Sequence, residues 1–130
     1  MRTMTHATRG LTLVAGCLLL AGCGSEDGLA RVRGRVTFNG EPLEGAIVQF
    51  EPVAKEGSPS AGKTDAQGRY ELMHTFDTPG ALPGGHVVTI RTADAYYDEA
   101  GRERIPAKYN AQTELKRAVE PGRNTIDFDL

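Results

Sequence analysis

The stretch Ala30-Arg-Val-Arg-Gly-Arg-Val-Thr-Phe-Asn-Gly40 decides the fold. Ala30, Val32, Gly34, Val36 and Phe38 share one side of a period of two, and Arg31, Arg33, Arg35 and Thr37 share the other. Successive side chains of a strand point to opposite faces, so this alternation describes a half-buried strand with arginines on its wet side. The run stops at Asn39-Gly40, a dipeptide suited to the positive backbone angles of a tight hairpin turn.

The same grammar continues downstream. Ala46-Ile-Val-Gln-Phe-Glu51 is a second strand with Val48 and Phe50 facing one way. Residues 54 to 62 are small and polar and form a loop before a short strand at 61 to 64. Asp65-Ala66-Gln67-Gly68 is a turn, and Arg69 to Met73 returns with Tyr70 and Leu72 inward, so that these two strands read as a hairpin. Residues 78 to 85 are broken by proline and glycine, and His86 to Arg91 is a further strand. Residues 93 to 112 are the longest non-alternating piece, with no helical periodicity beyond a turn near Asp98 to Arg102. Thr113 to Glu120 is a strand candidate, Glu120 to Arg123 a turn, and Asn124 to Leu130 a closing strand with Ile126, Phe128 and Leu130 inward. Arg117, between Leu115 and Val119, falls on the inward side, which requires a bulge or a side chain that snorkels out at the edge. Seven short strands at close spacing predict an all-β fold, a seven-stranded antiparallel β-sandwich, with a small barrel as the alternative.

Upstream of the strands the chain changes character. Arg2 and Arg9 precede Leu11-Thr-Leu-Val-Ala-Gly-Cys-Leu-Leu-Leu20 without an acid. About ten apolar residues make a helix of roughly 15 Å, half of what a bilayer core of about 30 Å requires, so the segment reads as an export signal over residues 1–22. Leu20-Ala21-Gly22-Cys23 resembles the lipobox of bacterial lipoproteins, which implies diacylglycerol on the Cys23 thiol, palmitate among its acyl chains, and cleavage before Cys23. Val14-Ala15-Gly16-Cys17 fits the pattern too, but only four residues separate it from Arg9, too few for the apolar region of a signal. A plain secretory signal with a leftover cysteine is the alternative. Residues 23–29 are then a short tether reaching at most about 20 Å, and 30–130 one domain.

Removing residues 1–22 leaves 108 residues with 13 lysines and arginines against 17 acids, a net charge of −4. Such a chain holds one ordinary core and offers no footprint for nucleic acid. Both cysteines, Cys17 and Cys23, precede the domain. Disulfides, cysteine nucleophiles and thiolate metal sites are therefore excluded from it.

Two sets of residues carry a family likeness. Val32-x-Gly34-x-Val36-x-Phe38-x-Gly40-x-Pro42-Leu43-x-Gly45-Ala46-x-Val48 and Thr64-Asp65-x-x-Gly68-x-Tyr70-x-Leu72 resemble the carboxypeptidase regulatory-like domain, a transthyretin-like seven-stranded sandwich. Ile105-Pro106-Ala107-Lys108-Tyr109 and the ending from Val119 to Leu130 look like the small lipoproteins of this type in planctomycete bacteria. The likeness covers essentially all of 30–130. It implies an accessory, adhesive or structural module of the cell envelope with no catalytic set, and it carries over no functional residue except the lipidated Cys23. Gly34 and Gly45 fit crowded or turn positions, and Pro42 stiffens the first hairpin loop.

Candidate chemistry is sparse. His74, His86 and Asp77 are the local offer for a metal, and solvated or internally bonded histidines explain them as well. Asp94, Asp98, Glu99 and Glu103 are rich in oxygen but match no calcium-loop spacing, and Arg102 and Arg104 offset them. Ser25, Ser58 and Ser60 sit in no nucleophile elbow, and no general base is placed beside them by sequence. Carboxylate pairs for glycoside hydrolysis lack a cleft, and a lysine–asparagine isopeptide bond lacks a lysine on the first strand. No metal, cofactor or enzymatic activity is expected.

Tyr96, Tyr97, Arg102, Arg104, Lys108 and Tyr109 form the one candidate recognition loop, since long loops on rigid scaffolds carry contacts and tyrosine with arginine favours them. Packing of these tyrosines over an open sandwich edge is the competing reading. The function expected is a non-enzymatic module held at a bacterial envelope membrane through its N-terminal lipid and contacting an envelope protein or glycan. A carbohydrate-binding module is the alternative, weakened by the absence of tryptophan, and a small hydrolase is less favoured still.

Overall fold

The computed structural model describes residues 27–93 and 102–130. The expected signal over residues 1–22, Cys23, Tyr96, Tyr97, Asp94, Asp98 and Glu99 lie outside them. The described residues form two facing sheets, an all-β sandwich, with a short 3-10 helix at Ala107–Tyr109. Among them no helix is long and apolar enough to cross a membrane.

β1 (Arg31–Phe38) is the hub of the first sheet. Its even-numbered residues turn their backbone groups toward β5 (Arg69–Glu71) and β2 (Glu41–Pro42): the Leu72 amide donates to Val32 O at 3.0 Å and the Leu43 amide to Val36 O at 3.0 Å. Its odd-numbered residues face β8 (Arg123–Thr125) and β9 (Phe128–Asp129), with the Ile126 amide on Arg33 O at 2.8 Å and the Leu130 amide on Thr37 O at 2.8 Å. The β1–β2 hairpin turns on Asn39 and Gly40, with φ of 51° and 82°. Two consecutive positive values match a turn whose twist agrees with that of the flanking strands.

The second sheet runs β4 (Ser60–Lys63), β3 (Ile47–Pro52), β6 (Gly84–Arg91) and β7 (Lys116–Val119), each antiparallel to its neighbour. Between the sheets lie Val32, Val36, Val48, Phe50, Tyr70, Leu72, Val88, Ile90 and Phe128, all buried. Phe50 meets Phe128 edge-on, with ring centroids 6.1 Å apart, and Tyr70 tilts against the same ring at 6.3 Å.

The seven expected strands correspond to β1, β3, β4, β5, β6, β7 and the β8–β9 pair, and three expectations need correction. The sandwich is not wholly antiparallel, because β8 and β9 run parallel to β1. The closing strand is divided at Ile126-Asp127, and β2 adds a two-residue strand. Nor do β4 and β5 pair as a hairpin: β4 joins β3 and β5 joins β1, so the Asp65 turn carries the chain from one sheet to the other. Away from that turn, the Ala61–Met73 bridge joins the two segments. Gly62 permits it, since a Cβ there would run into Glu71 O. Arg117 resolves as a snorkelling side chain. Its guanidinium sits 4.8 Å from the Phe128 ring centroid at the open edge, and its Nη1 donates to Lys116 O at 2.8 Å.

The strand directions give the sandwich two distinct ends. At the entry end, where the chain reaches β1, lie residues 27–30, the 53–59 loop, the 74–83 segment and the 120–122 turn; Ala30 pairs with Ala81, and the Arg31 amide donates to Gly122 O. At the far end lie the 39–40 and 65–68 turns, the 92–112 segment and Leu130, whose carbonyl accepts from the Asn39 amide.

Candidate functional site

The segment from Thr92 to Gln112 connects β6 to β7 across the far end, and the residues of its two legs decide what it can present. Glu103 holds the legs together. Its carboxylate accepts from the Thr92 amide at 2.9 Å, the Thr92 hydroxyl at 2.7 Å, the Ala93 amide at 3.2 Å and the Ile105 amide at 3.4 Å. The Arg104 amide then donates to Thr92 Oγ1 at 2.8 Å. Partial burial raises the Glu103 pKa, but the bonds from Thr92, Ala93 and Ile105 outweigh it and hold the carboxyl below the ordinary glutamate range.

Below this clamp the returning leg packs on the sandwich. Ile105 is buried in the core, and Tyr109 is half-buried against it. The Asn110 side-chain amide donates to Ile90 O at 3.2 Å and Pro106 O at 3.3 Å, anchoring the short 3-10 helix. Arg104 is exposed, yet its guanidinium is spent on Glu44 O at 2.7 Å. The Lys108 ammonium lies 5.0 Å over the Tyr109 ring. Of the candidate recognition residues, Arg102 and Lys108 are therefore exposed cations on a fixed base, Arg104 is a brace, and Tyr109 is a packing residue. Tyr96 and Tyr97 fall outside the described residues.

The other candidates separate. His86 is buried, and its Nε2 donates to Leu82 O at 2.7 Å. His74 Nδ1 instead lies 3.1 Å from Ser60 Oγ, and Asp77 accepts from the Thr75 and Thr78 hydroxyls. Among the described residues no group of three His, Cys, Asp or Glu is placed to hold a metal ion. Of the acidic quartet Glu103 is the described member, and its carboxylate braces the loop through Thr92, Ala93 and Ile105. The Ser60–His74 pair was not visible in the spacing, because β4 belongs to the opposite sheet from the strand that leads to His74. Ser60 is 1% exposed, which leaves no approach for a substrate carbonyl to its hydroxyl.

The entry end has a different character. An open, mainly apolar cavity of about 300 Å³ lies between the end of β3 and the start of β6, lined by Pro52, Val53, Ala54, Leu82 and Pro83 among others. Val53 is 65% exposed there, and Phe76 is 95% exposed at the tip of the neighbouring loop. Sequence reading missed both, since neither belongs to an alternating run.

No protein-family model matches the chain, and no curated protein matches it. Among solved structures it is similar to a DUF3823 family protein from Parabacteroides merdae, at 13% identity and a TM-score of 0.43. The alignment covers 77% of this chain and 44% of that one, so the chain spans less than half the length of that relative.

Proposed function

We propose that this chain is a lipid-anchored, non-enzymatic module of a bacterial envelope, of the carboxypeptidase regulatory-like kind. In this reading diacylglycerol on Cys23 holds it at a membrane, and its far end contacts another envelope component, protein or glycan. The observation that carries the reading is the clamped base of the 92–112 segment. Glu103 ties Thr92 and Ala93 to Ile105 beside the exposed Arg102, and the Asn110 amide anchors the short helix that carries the exposed Lys108, at the end of the sandwich opposite the one through which the chain enters. A charge held on a rigid base loses little conformational entropy when a partner engages it. The apolar N-terminal run and the lipobox-like Leu20-Ala21-Gly22-Cys23 support the anchor, and the burial of Ser60 supports a role without hydrolysis.

Two measurements test it. Mass spectrometry of the N-terminal peptide from membrane-fraction protein, beside Cys23→Ala, is expected to find a lipid-sized increment on Cys23 that the variant lacks. Cross-linking in intact envelopes is expected to capture a partner with the wild-type chain and to lose it with Arg102→Ala/Lys108→Ala. Tyr96→Ser/Tyr97→Ser form a separate arm, and Tyr109 is left in place because it packs on the core. Capture undiminished in both folded variants removes the loop assignment. Selective retention on a glycan array would assign the chain to carbohydrate binding, and turnover of a hydrolase substrate panel would overturn the non-enzymatic reading.

A further inference from the structure

The two exposed large hydrophobic residues among the described residues, Val53 and Phe76, both lie at the entry end. They reach it from different sheets. Val53 follows the last residue of β3, where its amide donates to Gly85 O at 2.9 Å. Phe76 stands at the tip of the loop that continues β5, a tip closed by the His74 amide on Thr78 O at 2.7 Å and the Met73–Pro79 bridge. The returning strand of that loop packs on the start of the domain: a Cβ on Gly80 would press against Leu29 and the Ala30 carbonyl. The apolar cavity of about 300 Å³ opens at this end as well. The far end shows no such residue among those described.

A phenylalanine ring held almost wholly in solvent gains its transfer free energy wherever an apolar medium takes it up. Only three residues separate Cys23 from the first described residue, Asp27, so a lipid on Cys23 puts this end within a short reach of the bilayer. We propose that the entry end is a membrane seat: Phe76 and Val53 enter the interfacial layer of the bilayer that holds the lipid, fixing the sandwich upright with its far end outward. The inference rests on the lipid anchor proposed above. Lys55 and Arg123 at this end are outnumbered by Asp27, Glu56, Asp77 and Glu120, so apolar burial rather than attraction to anionic lipid drives the seating.

The test uses the absence of cysteine from the domain: with Cys23 acylated and Cys17 cleaved away, an introduced cysteine is the sole free thiol. The full chain carrying Phe76→Cys or Lys108→Cys is purified from membranes, its Cys23 modification read by intact mass, labelled with bimane, and reconstituted into vesicles of phosphatidylethanolamine and phosphatidylglycerol. A several-fold lower iodide quenching at position 76 than at 108, with blue-shifted emission and the same result in phosphatidylcholine vesicles, is the expected outcome. Equal quenching at both positions in a chain whose Cys23 is lipidated overturns the seat and leaves the anchor standing. A chain with unmodified Cys23 that stays in the soluble fraction overturns both.

Discussion

At the scale of single residues, the most consequential contact is made by a missing side chain. Gly34 sits on the inward face of β1, and a Cβ there would fall on the carbonyl oxygen of Ile126. That carbonyl has left the parallel ladder, where the Arg35 amide would otherwise donate to it. Two side chains repair the gap: the Tyr70 hydroxyl donates to Ile126 O at 2.6 Å, and Asp127 Oδ1 accepts from the Arg35 amide at 2.8 Å. Gly34→Ala is expected to lower stability by about 3 kcal/mol, since neither backbone can yield, measured by urea denaturation. Tyr70→Phe leaves a polar atom in the core without its donor and is expected to cost about 1–3 kcal/mol. Burial, with Asp127 adding to it, pushes the Tyr70 hydroxyl well above the ordinary phenol range. Its folded pKa is thus raised over the unfolded value, so this stabilisation is complete below about pH 10 and declines as pH rises further. In Tyr70→Phe that alkaline decline should be shallower. The inward placement of Tyr70 was legible in the alternation, and the family likeness put Gly34 at a crowded or turn position. The turned carbonyl was not, because it depends on a partner 92 residues away in the chain.

At the scale of elements, the 92–112 segment behaves as a stapled loop whose staple titrates. Glu103 is depressed below its unfolded pKa, so its contribution is present above about pH 4.3 and is lost as pH falls through the lower folded value. Protection factors of the Thr92, Ala93 and Ile105 amides, exchange rates taken relative to the intrinsic rate at each pH, should fall on acidification through that window. Glu103→Gln should lower them at neutral pH and remove most of the dependence, while the β3–β6 amides stay protected in both. Alternation found the strands because each has one buried face, and it found this loop because alternation fails there. Alternation cannot say which neighbour a strand takes. Ala61–Thr64 and Arg69–Met73 flank a good turn, yet β4 and β5 belong to different sheets. Pairing with β3 and β1 buries Tyr70 and Leu72 between the layers, and the turn accommodates the crossing through Asp65, which accepts the Gln67 and Arg69 amides, both at 2.9 Å. Arg117 illustrates the converse, a charge on an inward position that is tolerated because an edge strand lets the guanidinium reach solvent over Phe128.

At the scale of the whole molecule, the first and last strands are neighbours. β1 receives β2 and β5 on one side, but its other side is completed only by residues 123–130, which also deliver Phe128 to the centre of the core. Loss of a buried phenylalanine alone costs about 3–5 kcal/mol, a large share of the roughly 5–15 kcal/mol that holds a domain together. A chain ending at residue 122 is therefore expected to lack cooperative unfolding and dispersed amide resonances. With no thiol in residues 24–130, the midpoint of the full domain should be the same with and without reductant.

That pairing of first with last also sets a timetable. A chain emerging amino end first offers the hub strand about ninety residues before the strands that complete its other side. Until residues 123–130 are out the sandwich has an open seam and a hole at its centre, so the domain cannot close before they emerge.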